Sequence, residues 1–216
     1  MTDELFGNEN IPWPEKGDQL FTSAEDWWHN ACLNYMPNDW EAYILGYKRA
    51  GDILVENVKE TRSDQDVLVY PIVFLYRQYI ELRLKQLIQS GKELLDKEPK
   101  FPKKHELDIL WNEFRPILSK VESSTRKIDL DAMGELMSQF CTIDPTSVAF
   151  RYPVTKDGGK VLSSDIRLIN LRHLSDTMEK IAFYFDSAAH MISVYIDHKH
   201  DIEAEFGEDD YGGEYG

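Results

Sequence analysis

The chain has 216 residues, 42% hydrophobic and 29% charged, which is enough apolar material for one well-buried domain with ragged ends. Its formal charge of −15 excludes bulk affinity for a polyanion, so any nucleic-acid contact must come from a local cluster. No apolar run reaches the length of a membrane span.

Residues 1–10 carry neither a basic nor an apolar leader pattern, and Cys32 and Cys141 have no metal-ligand spacing. A cytoplasmic protein with free thiols, no metal and no cofactor is expected.

Residues 1–37 mix Pro, Asn and Gly with Phe6, Trp13, Phe21, Trp27 and Trp28. They read as an irregular arm whose aromatics pin it to a body; the alternative is a docking arm anchored by the two tryptophans. Asn38 and Glu41 have the spacing of a capping box opening a helix. Trp40, Tyr43, Ile44, Tyr47, Ile53, Leu54 and Val58 then recur near helical period.

Residues 70–95 are the longest helical segment. Pro71 either opens this helix or kinks it. Its polar line of Arg77, Glu81 and Lys85 opposes an apolar arc wide enough for packing between two neighbours. Arg83 lies inside that arc, where a charge needs a partner: a buried ion pair or an interface. A third helix is predicted over 105–118, disturbed near Pro116, and a fourth over 128–140. Residues 144–161 form a loop with two prolines and Gly158-Gly159. Ser163, Ser164 and Asp165 are candidate N-caps for a last helix ending near 196.

From Asp201 onward there are seven acidic residues and no Lys or Arg; without them the charge is −8. This tail, 201–216, is too poor in aliphatics to offset its ordering entropy and is expected to be disordered. The fold class is all-α, an up-and-down bundle of about five helices over 38–200.

Three motifs in order, Glu81-x-x-x-Lys85, His105-x-Leu107-x-x-Leu110 and Arg151-Tyr152-Pro153 before the final helix, resemble the HEPN superfamily over roughly residues 65–196. The segment Arg77-Gln78-Tyr79 and the long loop before His105 depart from the smallest members and suggest a stand-alone one. The resemblance implies a homodimeric helical bundle that binds RNA in a defence or toxin–antitoxin setting, beside a nucleotidyltransferase or another protein partner. It also implies metal-independent endoribonuclease activity from an Arg-x4–6-His pair. The alternative is a non-catalytic interaction or assembly module of the same fold.

Arg167 and His173, with five residues between them, fit that pair. Histidine can move the ribose hydroxyl proton near neutral pH, and arginine can hold the phosphate. On a straight helix the two side chains diverge by about 120°, so a distorted first turn or a second copy would have to converge them. Arg151, Tyr152, Arg77 and Lys85 are candidate nucleic-acid contacts, with Arg151 on phosphate and Tyr152 on base. Glu81 and His105 are read as structural members of the motif, Glu81 bridging Arg77 and Lys85. His198 and His200 beside Asp197 and Asp201 raise a metal site, but on a helix the two histidines point apart, so a solvated helix end is expected.

Overall fold

The computed structural model describes residues 12–33, 39–162 and 166–209. They divide into two compact units, 1–37 and 38–216. Among its described residues the first holds a 3-10 turn, Trp27–His29, whose two tryptophan rings lie 4.7 Å apart. Trp13, Phe21, Trp27 and Trp28 are exposed. Phe6 lies outside the described residues.

The second unit is an all-α bundle of five helices: α1 Asp39–Thr61, α2 Gln65–Leu94, α3 Leu107–Val121, α4 Lys127–Ile143 and α5 Leu171–Asp209. Among the described residues there is no strand, only one isolated bridge between Val154 and Lys160. None of the described helices is long and apolar enough to cross a membrane. A three-residue break containing Arg62 and Asp64, both at positive φ, turns α1 back onto α2.

Helix α2 is the strut. It packs on α1, α3 and α5, and α4 closes over α3. Its Ile72, Tyr76, Ile80, Leu84, Leu87 and Ile88 meet Ile44 and Val55 of α1, Leu110 and Phe114 of α3, and Met178, Phe185 and Ile192 of α5 in one core. Close approach requires Gly51 and Gly91, where an added Cβ would lie 2.7 Å from the Tyr76 ring and 2.5 Å from an Ile117 methyl.

Pro71 neither opens α2 nor ends it. The helix starts six residues earlier and runs through, because this proline is on the exposed side, where water can take the carbonyl left without a donor. Pro116 is likewise exposed within α3, which continues to Val121.

Arg83 is a buried ion pair, the first of its two readings. Its Nη1 donates to Glu41 Oε1 at 2.6 Å and to Gln86 at 3.0 Å, and its Nη2 lies 3.0 Å from Asp186. The guanidinium thus ties α2 to α1 and α5. Glu41 of the predicted capping box therefore faces Arg83; Asn38 lies outside the described residues.

The last helix differs from expectation at both ends. It begins at Leu171, where the Asn170 side chain accepts the His173 N–H at 3.0 Å as an N-cap; Ser163, Ser164 and Asp165 lie outside the described residues. It continues to Asp209, nine residues into the segment expected to be disordered, while 210–216 lie outside the described residues.

Candidate nucleic-acid interface

The polar line on α2 does not face solvent. Arg77 is fully buried, and its three donor groups are all used. Nη1 donates to Glu81 Oε2 at 3.2 Å, Nη2 to the His105 carbonyl at 2.6 Å, and Nε to the Asp144 carbonyl at 3.2 Å. The Asp144 carboxylate lies 3.6 Å from the same Nε. Lys85, also buried, donates to Glu81 Oε1 at 2.8 Å and sits over the Phe101 ring. A helix can carry such a line inward because each charge meets an opposite one.

This corrects the expectation that Arg77 and Lys85 contact nucleic acid. Arg77 has no surface and Lys85 very little; both act inside the fold. Their work is to fix two chain segments that local propensity would leave irregular. Arg77 holds the carbonyl before α3 and the carbonyl that ends α4 against one face of α2.

His105 is placed otherwise. Its backbone is anchored by Arg77, and its Nδ1 lies 2.8 Å from the Glu81 carboxylate, yet its side chain is 66% exposed whereas that of Glu81 is 3% exposed.

The loop after α4 is built from Asp144. One carboxylate oxygen accepts the N–H groups of Val148 and Ala149 at 2.7 and 3.0 Å. Ala149 and Phe150 are buried and plug a small apolar cluster around Val73 and Phe74 of α2. Buried Ser147 takes φ 61°, and its carbonyl accepts Arg151 Nε at 2.5 Å. The plug turns the next two side chains outward. Arg151 lies over the rings of Phe74 at 5.5 Å and Tyr152 at 5.7 Å, and Tyr152 is 56% exposed.

A tight turn follows. Thr155 and Gly159 are hydrogen-bonded, and Gly158 at φ +79° takes the left-handed conformation that side chains resist. It returns the chain so that Lys160 pairs with Val154. The result is a groove of about 510 Å³ lined by Tyr70, Phe150, Arg151, Tyr152, Lys160 and Leu162, among others. Tyr70 and Lys160 have no motif to mark them; the turn signal at Gly158-Gly159 was the available cue that Lys160 doubles back towards Arg151.

Arg167 and His173 are both exposed, and only His173 is helical, as the third residue of α5. The expectation that both sit on the last helix is therefore corrected: Asn170 caps that helix, and Arg167 precedes it. A hollow of about 470 Å³ between the end of α1 and the start of α5 is lined by Lys59, Arg62 and Arg172, and neither Arg167 nor His173 belongs to its lining. Among the described residues, no group of three His, Cys, Asp or Glu is arranged to hold a metal ion.

Comparison with protein-family models, curated proteins and solved structures returns no match.

Proposed function

We propose that this chain is a HEPN-like RNA-binding protein whose groove at Arg151 and Tyr152 takes a single-stranded segment. The observation that carries the reading is the groove itself. Two cations, Arg151 and Lys160, and two partly exposed phenol rings, Tyr70 and Tyr152, line one concave surface. Single strands are bound by that combination, bases stacking on aromatic faces while the backbone follows positive charge. In a protein of charge −15 such a local cluster is also what binding would need. The order of the three motifs supports the family reading, and the helical bundle is the fold it implies.

Fluorescence anisotropy with a labelled oligouridylate tests the proposal. Each stacked base is worth about 1–3 kcal/mol, so Tyr152→Ala is expected to weaken binding by about 5- to 150-fold. Arg151→Ala is expected to lower the slope of log affinity against log salt by about 0.7, one phosphate contact fewer on a single strand. Wild type that binds no RNA, or that binds equally with both substitutions, removes the reading.

A further inference from the structure

One stripe of α2 links the groove to His105. Tyr70, Phe74, Arg77, Glu81 and Lys85 succeed one another at spacings of four, three, four and four residues and so share a face. Tyr70 lines the groove, Phe74 underlies Arg151, Arg77 holds both covering segments, Glu81 holds His105, and Lys85 underlies Phe101. From Phe74 to Glu81 is seven residues, a rise of about 10 Å. A strand seated on Arg151 and Tyr152 needs to run about that far over the segments covering the helix to reach the His105 ring.

The ring is prepared for proton transfer. Glu81 lies between two cations and serves as acceptor to Arg77 and Lys85, so the bond from His105 is an Nδ1–H donation. In the neutral imidazole this leaves Nε2 as a free lone pair on a ring that is two-thirds exposed. A histidine that merely capped α3 would not need a carboxylate buried in a four-membered ion cluster to hold its other nitrogen. Lys103 and Lys104, both exposed, precede it and supply positive charge for a phosphate.

We propose that His105, oriented by Glu81, is the catalytic base for cleavage of an RNA strand bound over the segments that cover this face, an inference that rests on the RNA-binding reading. RNA carries its own nucleophile. His105 Nε2 takes the proton of a ribose 2′-hydroxyl, and the 2′-oxygen forms a bond to the adjacent phosphorus. The bond from phosphorus to the 5′-oxygen breaks, and that oxygen takes a proton from the imidazolium or from water. The products are a 2′,3′-cyclic phosphate and a 5′-hydroxyl, with atoms and protons balanced. This site is separate from Arg167 and His173.

The test is His105→Asn in the full chain, assayed on a labelled oligoribonucleotide with chelator present. Asparagine places an N–H donor where Nδ1 stands, keeping the bond to Glu81, and has no counterpart to Nε2. The expected result is a loss of cleavage of about 100-fold or more, with RNA affinity and thermal midpoint unchanged. Glu81→Gln also removes the charge partner of buried Arg77 and Lys85 and lowers the thermal midpoint; assayed below that midpoint, with activity normalised to folded protein, it is expected to lower kcat while KM holds. Wild type that does not cleave, or His105→Asn cleaving within about threefold of wild type, overturns the assignment. Loss that follows His173→Ala and spares His105→Asn overturns it in favour of the last helix. RNA affinity of wild type and Arg151→Ala, measured beside these, reports separately on the groove: binding without cleavage sinks only the His105 assignment, and cleavage indifferent to Arg151 sinks only the groove.

Discussion

Replacing Arg77 with Met keeps most of the side-chain volume and removes the charge that organises the covering segments. Glu81 then retains Lys85 and His105, but the carbonyls of His105 and Asp144 lose the donors they have from Arg77, and the buried Asp144 carboxylate loses its nearby cation. Breaking one side of a buried ion pair costs about 3–5 kcal/mol, and orphaned carbonyls act in the same direction without adding in full. A whole domain is stable by about 5–15 kcal/mol, so the variant should lie near the edge of folding. For a chain of this length the change corresponds to a fall of about 6–20 °C in thermal midpoint. Arg77→Lys should rescue little, since one ammonium cannot reach carbonyls on two different segments and a carboxylate in the geometry of a guanidinium. Urea unfolding followed by tryptophan fluorescence measures the loss directly. A cost under about 1 kcal/mol for Arg77→Met would show that the cluster does not organise this face, and the placement of His105 and Arg151 would need another cause.

Gly51→Ala and Gly91→Ala should each cost about 1–3 kcal/mol by forcing the Tyr76 ring and the Ile117 methyl from their places, read as a lower urea midpoint at unchanged slope. Burial pushes the phenols of Tyr76, Tyr79 and Tyr184 above their ordinary value, that of Tyr184 to about 12. The folded chain therefore keeps phenol protons that the unfolded chain has already lost. Stability from this source is complete below about pH 10 and disappears as pH rises towards 12. Urea midpoints at pH 8 and pH 11 should show the decline, and equal midpoints would contradict it. Burial also raises the Cys141 thiol, whose sulfur accepts the Asp108 N–H at 3.3 Å, so iodoacetamide at pH 8 should alkylate exposed Cys32 well before Cys141.

The helices were legible because their apolar periods are strong. Residues 105–118 and 128–140 identified α3 and α4 within three residues at each end. Residues 62–64 separate α1 from α2, whereas the sequence pattern puts the start of the long helix near Pro71, because a proline marks a first turn more often than it passes through an exposed second one. The polar line of α2 was visible as a line, but its burial was not. Whether Arg77, Glu81 and Lys85 face water or loops depends on residues 101–106 and 144–150, sixteen or more positions away in sequence. His105 was read as structural for the same reason: sequence gives neither the carboxylate beneath its ring nor the exposure of the ring itself. Arg167 and His173 looked helical together because Ser163 to Asp165 resemble a cap, whereas Asn170, inside the motif, caps α5. Arg151 and Tyr152 lie at the surface after a buried pair, Ala149 and Phe150, that the local sequence does not mark as a plug.

The most direct test of an RNA strand in the groove at Arg151 and Tyr152 is crosslinking of an oligoribonucleotide carrying 4-thiouridine, with the adducts located by peptide mass spectrometry. The proposal predicts adducts on the peptides holding Tyr152 and Tyr70, lost when Arg151 is changed to alanine. Adducts confined to peptides holding Arg62 or Arg172, or insensitive to Arg151, would place RNA elsewhere and contradict the account.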